Sequence, residues 1–170
     1  MTYLFIDGYN IIGAWPELIC LREDHLEEAR DKLISILMDF AAVSEMDVVL
    51  VFDGWRVKGG QEVQIENPYL DIYYTKEGVT ADMLIERLVA SLPKHQTVYV
   101  ATSDRLEQET ILAFGGLRIS ALELRDMING AKRSSRPHMQ AKTHRHNPLD
   151  ARLDEKTRQA LQAMMEQGKD

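Results

Sequence analysis

The stretch TYLFIDGYN, residues 2–10, decides the fold predicted from this sequence. It begins as a short, continuous run of apolar, β-forming residues and ends on an acid, a glycine, a tyrosine and an asparagine. Two later segments have a similar construction: VVLVFDG at residues 48–54 and TVYVATSD at residues 97–104. Strands that are apolar throughout, rather than alternating, are typical of a parallel sheet that is covered on both faces.

Segments with a helical spacing of apolar residues separate these strands. The predicted helices cover about residues 24–44, 80–92, 104–114 and 121–129, and further short strands are expected at 62–65, 69–74 and 117–120. Because strand and helix alternate, and because such crossovers are right-handed, the sequence predicts an α/β fold. We expect a three-layer sandwich with a mainly parallel central sheet, over residues 1–130.

A basic tail and a terminal helix, together residues 131–170, form the second predicted unit. Residues 131–149 contain five Lys or Arg and no acid. They include few large apolar residues, so this segment cannot build a core, and we expect it to be flexible in isolation. Apolar residues recur at loosely helical spacing over 150–167, which predicts a final helix.

Composition excludes several classes of protein. No stretch of the 170 residues approaches the ~18 apolar residues of a membrane span, and the basic start of a signal peptide is absent. The single cysteine, Cys20, excludes an intrachain disulfide and a cysteine-rich zinc site, and its apolar neighbours predict that it is buried. A cytoplasmic location fits these features. The net charge of −7 argues against a general nucleic-acid binder, but residues 131–149 contribute +5, so local RNA binding stays open.

Four aspartates stand where a parallel sheet would bring them together. Asp7, Asp53 and Asp104 each follow a predicted strand. Asp82 lies in the first turn of the helix that Thr80 is expected to cap. In an open α/β sheet, ligands bind outside the carboxyl ends of the strands. Four carboxylates without interleaved cations repel one another, and a hard divalent cation such as Mg²⁺ or Mn²⁺ relieves that repulsion and supports phosphodiester hydrolysis.

Each aspartate also has a purely structural interpretation. An Asp-Gly pair after a strand is a common turn, which would account for Asp7 and Asp53. The helix dipole favours an acid in a first turn, as at Asp82, and Asp104 with Glu107 has the spacing of a capping box. Their joint position at one edge of the sheet is the feature that favours a functional site.

The same segments resemble a known family. In order and spacing, the motifs DGYN (7–10), VFDG (51–54), TAD (80–82) and TSD (102–104) resemble the NYN-domain nucleases of the PIN-like superfamily, in particular the YacP-like bacterial branch. The resemblance covers about residues 1–130, and the basic tail with its last helix also looks like that branch. It implies a metal-dependent endoribonuclease that cleaves mRNA in association with the translating ribosome.

The resemblance also implies roles for individual residues. Asp7, Asp82 and Asp104 match the metal-binding acids of the family, and Asp53 matches the acid that ends the second strand. Asn10 matches the asparagine beside the first acid, which would orient the phosphate or a carboxylate. The implied catalytic residues are therefore Asp7, Asn10, Asp82 and Asp104, and the implied site for Mg²⁺ or Mn²⁺ contains Asp7, Asp53, Asp82 and Asp104.

Basic residues are the predicted contacts of RNA phosphates, and they occur in two groups. They are Arg56 and Lys58 in the loop after Asp53, and Lys132, Arg133, Arg136, Lys142 and Arg145 in the tail. Tyr9, Trp15 and Trp55 are candidates for stacking on bases, although both tryptophans can equally be packed in the core. A solubilising linker is the alternative role of the tail.

Other functional classes lack their signatures. A receiver-like signalling domain needs two adjacent acids after the first strand, and Asp7 has no acidic neighbour. No phosphate-binding G-x-x-x-x-G-K-[ST] motif occurs, and the Asp-x-Asp of a haloacid-type phosphatase is absent from the first strand. A non-catalytic RNA- or ribosome-binding adaptor that keeps the nuclease fold stays open as the alternative function.

Overall fold

The computed structural model describes residues 1–22, 25–54, 63–65, 67, 69–76, 78–93, 95–102 and 116–134. Within these ranges the chain forms six strands: β1 (Thr2–Asp7), β2 (Met46–Phe52), β3 (Val63–Ile65), β4 (Leu70–Tyr74), β5 (Thr97–Ala101) and β6 (Leu117–Ile119). They make one sheet in the order β3-β4-β2-β1-β5-β6. The helices predicted at 104–114 and 150–167 lie outside the described residues.

The sheet is parallel except at one edge, where β3 runs antiparallel to β4. Strand β1 is central, with Asp7 opposite Val51 of β2 and Ile6 opposite Ala101 of β5. The chain builds outward from β1 through β2 to β4 and then returns to β5 and β6 on the other side. The switch point of this topology lies at the carboxyl ends of β1 and β5, where such sheets bind ligands.

Helices cover both faces of the sheet. They are α1 (Gly8–Ala14), α2 (Pro16–Arg22), α3 (Leu26–Val43), α4 (Ala81–Ser91) and α5 (Ala121–Ser134). Leu4 and Ile6 of β1 pack with α1, α2, α3 and α5, whereas Tyr3 and Phe5 pack with α4 on the opposite face. Because both sets of side chains are buried, the strands are apolar throughout, and the predicted three-layer α/β sandwich is confirmed.

The region between β1 and α3 differs from the prediction. In place of a turn after Asp7, helix α1 begins directly at Gly8, and α2 follows after Trp15. Helix α2 leaves Cys20 exposed, so the prediction that it is buried is wrong. Trp15 is only 2% exposed, and its indole N–H donates to the carbonyl oxygen of Ala121 at 2.8 Å. Trp15 therefore belongs to the core and cannot stack on a base.

Helix α5 continues beyond its predicted end. It runs to Ser134, so Lys132 and Arg133 lie in its last turn, where cations interact favourably with the helix dipole. The basic tail therefore begins as helix, and the predicted division at residue 130, which stays a prediction, falls inside α5. Within the part of the chain that the structure describes, no helix has both the length and the apolar character needed to cross a membrane.

Candidate active site

Asp7 stands at the carboxyl end of the central strand and caps the helix that follows. Its Oδ1 accepts a hydrogen bond from the backbone N–H of Asn10 at 3.2 Å, and the residue is 8% exposed. The strand passes into α1 without a turn because position 8 is a glycine: a Cβ there would lie 2.2 Å from the Phe52 ring. The close approach of Phe52, rather than turn conformation, explains the first Asp-Gly pair.

Asp53 ties the end of β2 to the start of α4. Its Oδ1 accepts a hydrogen bond from the backbone N–H of Ala81 at 2.7 Å. The Thr80 hydroxyl accepts from the N–H of Met83 at 3.2 Å, which confirms the predicted cap. Two otherwise orphaned donors of the helix are thereby satisfied, and Asp82 is held in the first turn beside Asp53.

The second Asp-Gly pair is also explained by a close approach of two segments. The N–H of Gly54 donates to the Thr75 hydroxyl at 3.0 Å, and the N–H of Thr75 donates to the carbonyl of Phe52 at 2.9 Å. A Cβ at position 54 would lie 1.3 Å from the backbone oxygen of Thr75. Only glycine fits here. The hydrogen bonds on either side of Asp53 therefore hold it against the segment that follows β4.

The electrostatics of Asp7 involve two other acids, Asp82 and Asp53. The pKa of its carboxyl is raised from 3.8 to about 7 in all, and burial is the largest cause. The N–H of Asn10 lowers this pKa in part, the charges of Asp82 and Asp53 raise it further, and the N–H of Tyr9 lowers it slightly. Asp82 and Asp53 therefore both act on Asp7 at the carboxyl edge of the sheet.

Asp82 has the unsatisfied atom that a bound cation would explain. Its Oδ1 is buried and has no hydrogen-bond partner within the described ranges. A buried polar atom without a partner is costly, and an all-oxygen set of carboxylates suits Mg²⁺ or Mn²⁺. Among the described residues, however, no three His, Cys, Asp or Glu side chains form a group that could hold a metal. The chemistry of the donors fits a divalent cation, and the further predicted ligand, Asp104, lies outside those residues.

The structure describes only some of the other predicted site residues. Asn10 is half-buried in α1, and Lys132 and Arg133 are exposed at the end of α5. Of the remaining candidates, Trp55, Arg56, Lys58, Asp104, Arg136, Lys142 and Arg145 lie outside the described residues. Their roles stay predictions.

Sequence reasoning missed a cation beside this edge. Arg30 of α3 donates from Nη1 to the Tyr9 hydroxyl at 3.0 Å. The signal for it was present, because Leu26, Leu33 and Leu37 form the apolar stripe of the helix and position 30 continues their spacing. A charged residue on the inward-facing stripe of an amphipathic helix is unusual and indicates a specific environment.

The raised pKa of Asp7 predicts a pH-dependent stability. Its carboxyl keeps a proton to higher pH in the folded state, so the contribution of Asp7 to the free energy of unfolding should fall as pH rises from about 4 to 7 and then level off. Asp7→Asn removes this loss because an amide does not ionise, and the amide oxygen can still accept the hydrogen bond that caps α1. In EDTA, the free energy of unfolding of Asp7→Asn should exceed that of the wild type by up to about 4 kcal/mol above pH 7. Near pH 4 the difference should be small.

Chemical denaturation at a series of pH values measures this difference. The control is Asp39→Asn, which neutralises an exposed acid on α3 and should shift stability by a similar small amount at every pH. A gain from Asp7→Asn that does not change between pH 4 and 8 would contradict the prediction.

Comparison with known proteins identifies similar sequences and structures. The family model described as the YacP-like NYN domain matches residues 4–166. The protein named "Uncharacterized protein YacP" from Bacillus subtilis (strain 168) is 44% identical over 125 residues, which are 73% of each chain. A crystal structure of Rae1 (YacP) from Bacillus subtilis matches with a TM-score of 0.70 and 39% identity, covering 81% of this chain and 79% of that one. A crystal structure of a variant of Rae1 (YacP) matches with a TM-score of 0.68 and 31% identity, covering 95% and 98%.

Proposed function

This chain belongs to the YacP-like NYN domain family, whose domain is of the nuclease type, and on that premise we propose that it is a divalent-metal-dependent endoribonuclease. The proposed substrate is mRNA associated with the translating ribosome. The observation that carries the proposal is the buried Asp7 at the end of the central strand, whose pKa is raised by burial and by Asp82 and Asp53. Such shifted carboxyls at the ligand-binding edge of a sheet are a mark of functional sites.

The chain's own residues account for the positioning that the reaction requires. The N–H groups of Asn10 and Tyr9 orient the Asp7 carboxylate, and Asp53 fixes the start of α4 and with it Asp82. Asp7, Asp82 and Asp104 would hold the Mg²⁺ or Mn²⁺ on which NYN and PIN-like nucleases generally depend. When bound, the cation would lower the pKa of water and neutralise charge on the phosphate.

Hydrolysis then needs no covalent intermediate with the protein. Water attacks phosphorus in line, the bond to the ribose 3′-oxygen breaks, and the products carry a 5′-phosphate and a 3′-hydroxyl. The carboxylates would contribute orientation and charge, and Asn10, the third residue of α1, would orient a phosphate or a carboxylate beside Asp7. We assign the catalytic roles to Asp7, Asn10, Asp82 and Asp104.

A non-catalytic adaptor is the alternative function, and activity separates the two. The test is cleavage of an mRNA in a translating extract, with the wild type and with Asp7→Asn added at equal concentration. Cleavage that depends on Asp7 supports the nuclease. Binding to RNA or ribosomes by both proteins, with no cleavage by either, supports the adaptor.

The basic end of α5 should contribute to RNA affinity. Lys132 and Arg133 are exposed and lie in the last turn of the helix, where two cations can face phosphates. If each neutralises one phosphate of single-stranded RNA, the double variant Lys132→Gln/Arg133→Gln should reduce the slope of log affinity against log salt by about 1.4. Fluorescence anisotropy of a labelled RNA in EDTA measures that slope.

Lys32→Gln is the matched control, because Lys32 is an exposed cation on α3, well separated in sequence from the tail. It should leave the slope near the wild-type value. Equal slopes for the wild type and the α5 double variant would favour the solubilising role instead.

A further inference from the structure

Arg30 is a largely buried cation that has weak anionic compensation among the residues that the structure describes. Its side chain is 11% exposed, and Nη1 donates to the Tyr9 hydroxyl at 3.0 Å. Its ion pair within the described residues is with Glu27, at 3.7 Å from Nη2, and the Glu27 side chain is 90% exposed. A pair of this length with a largely exposed acid contributes little, so this acid offsets only a small part of the cost of removing the guanidinium from water.

The fold places Arg30 at the same edge of the sheet as the aspartates. Helix α3 leads from α2 to the start of β2, so its first turns lie near the carboxyl ends of the strands. The Phe52 ring at the end of β2 lies 5.2 Å from the Tyr9 ring and 5.2 Å from the ring of Tyr74, the last residue of β4. The charge of Arg30 also acts on the Tyr74 hydroxyl.

Tyr9 connects this cation to the candidate active site. Its hydroxyl accepts from Arg30, while its backbone N–H forms a hydrogen bond with the Asp7 carboxylate. The guanidinium is therefore separated from Asp7 by about the length of one tyrosine side chain. A ligand that contacts both the Arg30 guanidinium and the aspartates must span that distance. It must carry negative charge at Arg30, next to the part that meets the aspartates.

The chemistry of the cluster matches a phosphodiester. A guanidinium presents five N–H donors in a planar fork that fits phosphate oxygens, and the hydrogen bond to Tyr9 uses one of them. Burial raises the pKa of Tyr74 above its ordinary value, although Arg30 lowers it in part. The phenol is therefore neutral at physiological pH and keeps its O–H proton as a donor for an anion.

We propose that Arg30, held by the Tyr9 hydroxyl and flanked by Tyr74, is a phosphate-binding subsite that receives an RNA backbone phosphate neighbouring the one that is cleaved. This subsite rests on the proposed function, because it assumes that RNA lies across the carboxyl edge. The acids at that edge repel a polyanion, and a cation beside them offsets the repulsion. The contact between Arg30 and a phosphate also fixes the direction of the RNA strand relative to Asp7.

The test removes the charge of Arg30 and keeps its aliphatic stem. Arg30→Met should weaken the binding of a labelled single-stranded RNA about 10-fold and reduce the salt slope by about 0.7. In cleavage assays its KM should rise while kcat changes little, because a contact away from the reacting atoms is equally strong before and during the reaction. Arg30→Lys should keep the salt slope and recover part of the affinity.

Lys32→Met is the matched control, since Lys32 is an exposed cation two residues along the same helix. A thermal melt of every variant separates a packing role from a binding role, because a packing role changes the melting temperature and leaves the salt slope unchanged. Tyr9→Phe removes the hydroxyl that holds Arg30, and it should weaken RNA binding less than Arg30→Met does.

Three results would overturn the subsite, and they are distinguishable from one another. In the first, the wild type cleaves RNA, and Arg30→Met has the same KM and salt slope as the control Lys32→Met. The subsite is then wrong, and the proposed nuclease activity is unaffected. If the wild type binds RNA without cleaving it, and Arg30→Met keeps its slope, both the subsite and the nuclease fail. If the wild type neither binds nor cleaves RNA, alone or in the translating extract, the proposed function fails and the subsite fails with it.

Discussion

Asp7→Asn and Asp82→Asn should each reduce RNA cleavage by roughly 100-fold or more, with the fold intact. Even residues that only support a metal ligand cost about 10–100-fold when they are changed, and these two are proposed to hold the ion directly. Asparagine has nearly the shape of aspartate, and at position 7 its amide oxygen can still accept from the N–H of Asn10. The loss should therefore be of charge and not of structure.

The measurement is the initial rate of cleavage of an mRNA in a translating extract, with the circular dichroism and melting temperature of each variant recorded beside it. Asp39→Asn is the control, because it removes one exposed acid from α3 and should cleave at the wild-type rate. With a purified RNA as substrate, EDTA should abolish wild-type cleavage, and added Mg²⁺ or Mn²⁺ should restore it. Wild-type rates for both folded active-site variants would refute the assignment.

Gly54→Ala should destabilise the protein by about 3 kcal/mol or more, since its Cβ would lie 1.3 Å from the backbone oxygen of Thr75. The two segments would have to separate, and the hydrogen bond from Gly54 to the Thr75 hydroxyl would be lost. For a chain of this size, that loss lowers the melting temperature on the order of 10 °C. The Asp53 carboxylate and the helix start that it caps should move with the segment, so cleavage should fall as well.

Two other glycines give a graded control for this prediction. Gly8→Ala should cost less than Gly54→Ala, because the Cβ would meet the Phe52 side chain and not a backbone atom. Gly130→Ala should raise stability by about 0.5–1 kcal/mol, because position 130 lies inside α5 with nothing within 4 Å of the added carbon. Differential scanning calorimetry of the three variants should give this order, and a Gly54→Ala protein as stable as Gly130→Ala would contradict it.

Much of the fold was predictable because the signals for it are local in the chain. The continuous apolar runs of β1, β2 and β5 indicate strands that are buried on both faces, and the observed bounds agree within a few residues. The short helices α1 and α2 were missed because the side of each that packs on the core depends on contacts with distant elements. The hydrogen bond between Trp15 and Ala121 is an example, since 106 residues separate the two.

The sequence by itself determined which aspartates share an edge of the sheet. Parallel strands all end on the same side, so Asp7 and Asp53 had to lie at one edge, and the Thr80 cap placed Asp82 at the start of a helix. Only the tertiary structure decided that Asp53 caps α4, that Gly54 fits against Thr75, and that Arg30 lies beside Tyr9. The reason is physical: periodicity and capping act over a few residues, whereas burial, charge coupling and steric fit depend on distances between residues that only the folded chain brings together.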